Sequence, residues 1–144
     1  MNKKQTVKMD YSSALLYGIP AGIIAAVIWA ILTVITGWEF GFVAIGIGYL
    51  VGYAVYYGAG KKGDQKLQFL SAGISLIAIF IGEYLITNHY LYTSLIDQGM
   101  NTLYFLKVWP VIKETVYYVI DFPITFLFWT IALYAGYAMA RKRE

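Results

Sequence analysis

Four long apolar runs organise the chain, separated by short polar or glycine-rich stretches. Ala14 to Thr36, "ALLYGIPAGIIAAVIWAILTVIT", carries no charge over 23 residues. At about 1.5 Å of rise per residue, such a helix crosses a hydrocarbon layer of about 30 Å with some tilt. Pro20 lies early in it and predicts a bend or a first turn. Phe40 to Tyr57 is the second predicted span, and its glycines suit a membrane helix better than a soluble one. Leu67 to Thr87 is the third, and Phe122 to Ala140 the fourth. Pro123 fits the first turn of the fourth, with Asp121 at the N-cap.

Between the third and fourth runs lies the one long connection, residues 88–121. It is too aromatic for a solvated linker, and a structureless loop of more than about 15 residues is uncommon. In "PVIKETVYYVID", Val111, Ile112, Val116, Val119 and Ile120 fall roughly on one face, and Lys113 and Glu114 on another. This pattern predicts an amphipathic helix in the interface plane. The stretch from Tyr92 to Leu106 predicts a second such piece, broken at Gly99. The segment reads either as an anchor capping the outer end or as a surface for a membrane subunit or apolar ligand.

Composition agrees with lipid as the solvent. The 144 residues are 60% hydrophobic and 13% charged, and mean hydropathy is +0.62. A soluble chain carries about 25% charged residues. No cysteine is present, which excludes disulfides, thiolate metal sites and cysteine nucleophiles. His89 is the single histidine, so no multi-histidine centre forms within one chain. No cofactor is expected.

Charge orients the spans. Lys3, Lys4 and Lys8, then Lys61, Lys62 and Lys66, then Arg141, Lys142 and Arg143 hold nine of the eleven cations. With four crossings these three segments share one side. The positive-inside rule places that side, with both termini, in the cytoplasm. The first run is too long for a signal peptide core, and no small-residue cleavage site follows it, so it is expected to be retained. No lipidation motif is present. Lys61, Lys62, Lys66, Arg141, Lys142 and Arg143 are candidate contacts for anionic headgroups. The turn "GAGKKGDQK" lacks the spacing of a phosphate loop, and no nucleic-acid-binding module is present.

Small residues recur at helical spacing. Gly18 and Gly22, Gly48 and Gly52, and Ser71 and Ser75 are candidate helix-packing pairs. They serve either the packing of this one chain or a homo-oligomer or complex with other membrane subunits. Tyr49, Tyr53, Tyr56 and Tyr57 form a stripe on the second span, which either packs or lines a polar path.

The acidic residues carry the candidate chemistry. Glu83 sits in the apolar run "ISLIAIFIGEYLIT", about 24 Å along the third span from Leu67. It is expected near the outer headgroup layer, with Glu39, Asp121 and His89 at a similar level. Together they could hold a hard cation or relay a proton. The plainer reading has Asp121 as a cap, Glu39 at the interface and His89 in water.

Residues 36–85, from "TGWEFGFVAIGIGYLVGYAVYYGAGKK" to "FIGEYL", and residues 121–142, "DFPITFLFWTIALYAGYAMARK", resemble a group of small prokaryotic integral membrane proteins of unknown function. The shared features are an aromatic–Glu pair, a glycine-rich span, a glycine–basic turn and a closing span with A-x-Y-x-G-Y. The resemblance covers about half the chain and implies a discrete prokaryotic plasma-membrane domain, without an activity to carry over.

The expectation is an all-α polytopic four-helix bundle, a single integral membrane domain over residues 1–144, with an interfacial helix in its outer connection. No catalytic constellation is visible. The leading functional expectation is a non-enzymatic scaffold or accessory subunit of a membrane complex. The alternative is a small oligomeric channel or transporter for an ion or small solute, with a path through Glu83, Tyr84 and the tyrosine stripe.

Overall fold

The computed structural model describes residues 9–38, 41–99 and 108–141. Within them the chain is all-α, with α1 (Tyr11–Thr36), α2 (Gly41–Gly58), α3 (Gln65–Asp97), α4 (Val108–Asp121) and α5 (Pro123–Met139). Three helices, α1, α2 and α3, are long and apolar enough to cross a membrane. Helices α4 and α5 together form a fourth apolar stretch, bent by 96° at their junction.

Local chemistry sets the helix ends. Asp10 caps α1 by accepting from the Ser13 amide at 3.0 Å and the Ser13 hydroxyl at 2.6 Å. Gly37 ends α1 in the left-handed region, φ 66°, returning its N–H to the Thr33 carbonyl, an arrangement that favours glycine. Because α1 starts at Tyr11, Pro20 lies inside it rather than in its first turn. Asp64 caps α3 by accepting from the Leu67 amide at 2.7 Å.

Two boundaries differ from the sequence expectation. Helix α3 does not end near Thr87 but runs on to Asp97. Its 33 residues extend about 50 Å, well beyond the ~30 Å of hydrocarbon. No glycine or proline stands between Gly82 and Gly99, so leaving lipid does not require leaving the helix. Gly99, at φ 71°, follows the helix end. The expected separate piece at Tyr92 is therefore, up to Asp97, a continuation of α3. The second difference is at Asp121, which is the last residue of α4 and exposed. The N-cap of α5 is Phe122, with no side-chain cap bond. A residue before proline is driven from the helical region; Phe122 has φ −112° and ψ 87°, and the chain turns there.

Helices α1, α2, α3 and α5 enclose one core, with Trp29, Ile47, Val51, Val55, Leu67, Ile79 and Ile86 among its buried side chains. The outer faces are apolar too: Leu16, Ile35, Ile77 and Tyr134 are all strongly exposed. Such faces suit lipid rather than water. Helix α4 packs mainly on α3, burying Val111 and Thr115. Val116 and Ile120, predicted on the same apolar face, are exposed and line a groove with Phe80 of α3 and Phe126 of α5.

Closest approaches fall at small residues. A Cβ on Gly48 would overlap the Ala132 carbonyl oxygen, and one on Gly52 would lie 2.6 Å from that of Gly136. On α1, Gly18 abuts Val55 and Gly22 abuts Ala78 and Val51. The buried Ser71 hydroxyl donates to the Gly136 carbonyl at 2.8 Å, and Ser75 donates to the Ser71 carbonyl at 2.8 Å. All six predicted small packing residues therefore lie at contacts within this one chain.

Candidate functional site

The two ends of the helix assembly differ in chemistry. At one end the Tyr11 hydroxyl donates to the Asp64 carboxylate, and Gly58 packs against Ser13 and Ala14. Tyr11 holds the Asp64 carboxyl below its ordinary range, assisted by the Leu67 amide and the charge of Lys66. Ser13 does the same for Asp10. The turn carries Gly60 at φ 75° and Lys61 at φ 58°, and the Lys61 ammonium lies 5.5 Å from the Tyr57 ring centroid. Lys61, Lys66 and Arg141 are exposed and Lys62 half-buried at this end. Lys142 and Arg143 lie outside the described residues.

The opposite end holds the candidate site. Glu83 is only 4% exposed. It follows Ser71, Ser75 and Ile79 at four-residue spacing, so it stands on the buried stripe of α3 between Ile79 and Ile86. Within the fold it lines a cavity of about 270 Å³ where all five helices converge. Helix α1 contributes Trp29, α2 Gly41 and Ala44, α4 Tyr118, and α5 Thr125, Phe128 and Trp129.

Two glycines shape this cavity. A Cβ on Gly82 would lie 2.6 Å from Trp29 Cε3, so the missing side chain lets the indole lie against α3 beside Glu83. A Cβ on Gly41 would overlap the Phe128 ring. Further along, α2 and α5 meet backbone to backbone at Gly48 and Ala132. The indole N–H groups of Trp29 and Trp129, and the Thr33 hydroxyl, are buried without a hydrogen-bond partner among the described residues.

The expected companions of Glu83 are distributed differently. Asp121 and His89 are exposed, and neither lines the cavity. Glu39 lies outside the described residues. Among the described residues no group of three His, Asp or Glu side chains is placed to hold a metal ion. Of the tyrosine stripe, Tyr49, Tyr53 and Tyr57 are each about half exposed, Tyr56 is half-buried, and Tyr53 stacks on Tyr57. None of the four lines the cavity of Glu83. Sequence reasoning missed Trp29, Tyr118, Phe128 and Trp129. The available signal was the Ser71–Ser75–Ile79–Glu83 spacing, which puts the carboxylate on the packing stripe.

No protein-family model, no characterised protein and no solved structure matches the chain.

Proposed function

We propose that this chain is a multi-pass membrane protein that takes a small solute or ion into the cavity around Glu83, as a small channel or transporter. In this reading α1, α2, α3 and α5 cross the bilayer as a four-helix bundle, and both termini are cytoplasmic. Helix α4 lies in the outer interface, a placement favoured by its 96° bend from α5. Orientation follows from the basic residues at the Lys61–Lys66 end.

The observation that carries the functional reading is the burial of Glu83 at 4% exposure in the wall of that cavity. An ionisable side chain within a membrane segment is costly, and marks a substrate or ion pathway by default. The test is a measurement of solid-supported-membrane currents from proteoliposomes, for a panel of inorganic cations and amines. A current above empty liposomes that falls in Glu83→Gln supports the reading. No current for any solute, or an unchanged current in the variant, counts against it.

The scaffold reading keeps one specific support. Trp109, Tyr117 and Ile120 on α4 are exposed and offer an aromatic surface to another membrane subunit. Its other expected surfaces, the glycine faces, are occupied by contacts within the chain.

A further inference from the structure

A groove of about 460 Å³ runs between α1 and α3 on the outside of the bundle, and every residue of its lining is apolar. Ile19 and Ile23 of α1 face Phe69, Gly73 and Ile77 of α3 across it. A Cβ on Gly73 would meet nothing within 4 Å, so the missing side chain leaves the groove open there. From Phe69 to Ile81 the groove follows α3 for about 18 Å, close to the ~15 Å of one half of the hydrocarbon layer. Its polar end carries positive charge. Lys66 precedes Phe69 by three residues and so stands on the groove face of α3, one turn nearer the helix start. The Phe69 ring meets Tyr137 of α5 edge-on, with 5.4 Å between centroids, and Arg141 follows Tyr137 by four residues. Lys66 and Arg141, both exposed, therefore stand about one turn beyond this ring pair. Asp64, at the same end, is already engaged by the Tyr11 hydroxyl and the Leu67 amide.

We propose that this groove is a binding site for an anionic phospholipid, with one acyl chain lying between α1 and α3 and the phosphate met by Lys66 and Arg141. The site rests on the reading of α1 and α3 as membrane spans, and not on that of the Glu83 cavity. Shape and charge select this occupant. Spread over its length, the groove volume of about 460 Å³ gives a mean cross-section of about 25 Å². That is far narrower than a helix about 10 Å across with its side chains, and suits a single hydrocarbon chain. A second copy docked symmetrically by this face would also set Lys66 against its own counterpart. A zwitterionic lipid would fill the groove but bring no net charge to the two cations. An anionic headgroup meets both, as basic clusters at the end of membrane helices do.

The experiment is native mass spectrometry of the full chain released from mild detergent, which counts bound lipids directly. The protein is titrated with phosphatidylglycerol, with phosphatidylcholine of the same chains, and with glycerol phosphate as a headgroup without chains. One phosphatidylglycerol per chain is expected, held about tenfold or more tightly than phosphatidylcholine, with no retention of glycerol phosphate. Lys66→Gln combined with Arg141→Gln removes that preference. Gly73→Leu places a side chain in the open groove and abolishes retention, whereas Gly46→Leu, at an equally open position on α2, keeps it. Equal retention of the two lipids overturns the proposal, as does unchanged retention in Gly73→Leu. Glycerol phosphate held as tightly as the lipid would mean a site for free phosphate, and a dimer that Gly73→Leu dissociates would mean a second copy in the groove; either overturns it. Should a glycine variant fail to fold, the three wild-type titrations and the double glutamine variant decide. Extraction of the protein from membranes by alkaline carbonate would remove the span reading and the lipid site with it. Absence of bound phosphatidylglycerol from a protein that resists carbonate removes the lipid site alone.

Discussion

The carbonyl oxygen of Ala132 on α5 occupies the space that a side chain on Gly48 of α2 would need. Neither group is the free end of a flexible side chain, so the clash has no easy relief. Gly48→Ala is expected to destabilise the protein by about 1–3 kcal/mol, the usual range for overpacking. Gly46 and Gly73 face open space. There the same change replaces a glycine within a helix and is expected to stabilise by about 0.5–1 kcal/mol. Thermal unfolding in detergent of the three variants separates these outcomes; equal midpoints would remove Gly48 as a packing determinant.

The basic end of the molecule should be acid-sensitive through Asp64. Its carboxyl is held below the ordinary carboxylate range, first by the Tyr11 hydroxyl. A depressed folded-state value means stability that is present above the unfolded value and lost as pH falls through the folded one. Stability should therefore begin to fall as pH drops towards about 4, and continue to fall below it. Tyr11→Phe is expected to flatten that decline. Tyr11 is exposed and Asp64 half-buried at the surface, so solvent screening keeps the effect small. Unfolding midpoints measured between pH 6 and 3 would show it, and parallel profiles for the two proteins would refute it.

What was legible in the sequence follows from what lipid demands locally. A span must be apolar for about 20 residues, and the starts of α2 and α5 lie within one residue of the predicted ones. The end of α3 was not legible, because Asn88 and His89 signal departure from hydrocarbon but contain no helix breaker. Asp121 read as a cap because its residue type suits one, whereas Pro123 moves the cap to Phe122. The cavity was the least legible feature. Glu83 shares its cavity with Trp29, Tyr118 and Phe128 across long sequence separations, and no local pattern records that α1, α4 and α5 converge there.

Sidedness can be measured directly because the chain contains no cysteine. Lys66 at the start of α3 and Asp97 at its end are both exposed. They are separated by about 46 Å of helix, more than a hydrocarbon layer. With a membrane-impermeant maleimide, Asp97→Cys is expected to label in intact cells, and Lys66→Cys only after permeabilisation. The reverse pattern would invert the proposed orientation. Labelling of both in intact cells would show that α3 does not cross.

Gly41 provides a finer test of the cavity, because its neighbour is of a different kind from that of Gly48. A Cβ at Gly41 meets the ring of Phe128, a side chain on the cavity wall. The ring can yield by rotating into the open volume, whereas the Ala132 carbonyl at Gly48 cannot move without its helix. Gly41→Ala is therefore expected to cost less stability than Gly48→Ala while reducing the space left for a guest. Thermal unfolding in detergent of the two variants checks the difference. A Gly41→Ala protein with the stability loss of Gly48→Ala would mean that Phe128 is fixed and the cavity cannot adjust.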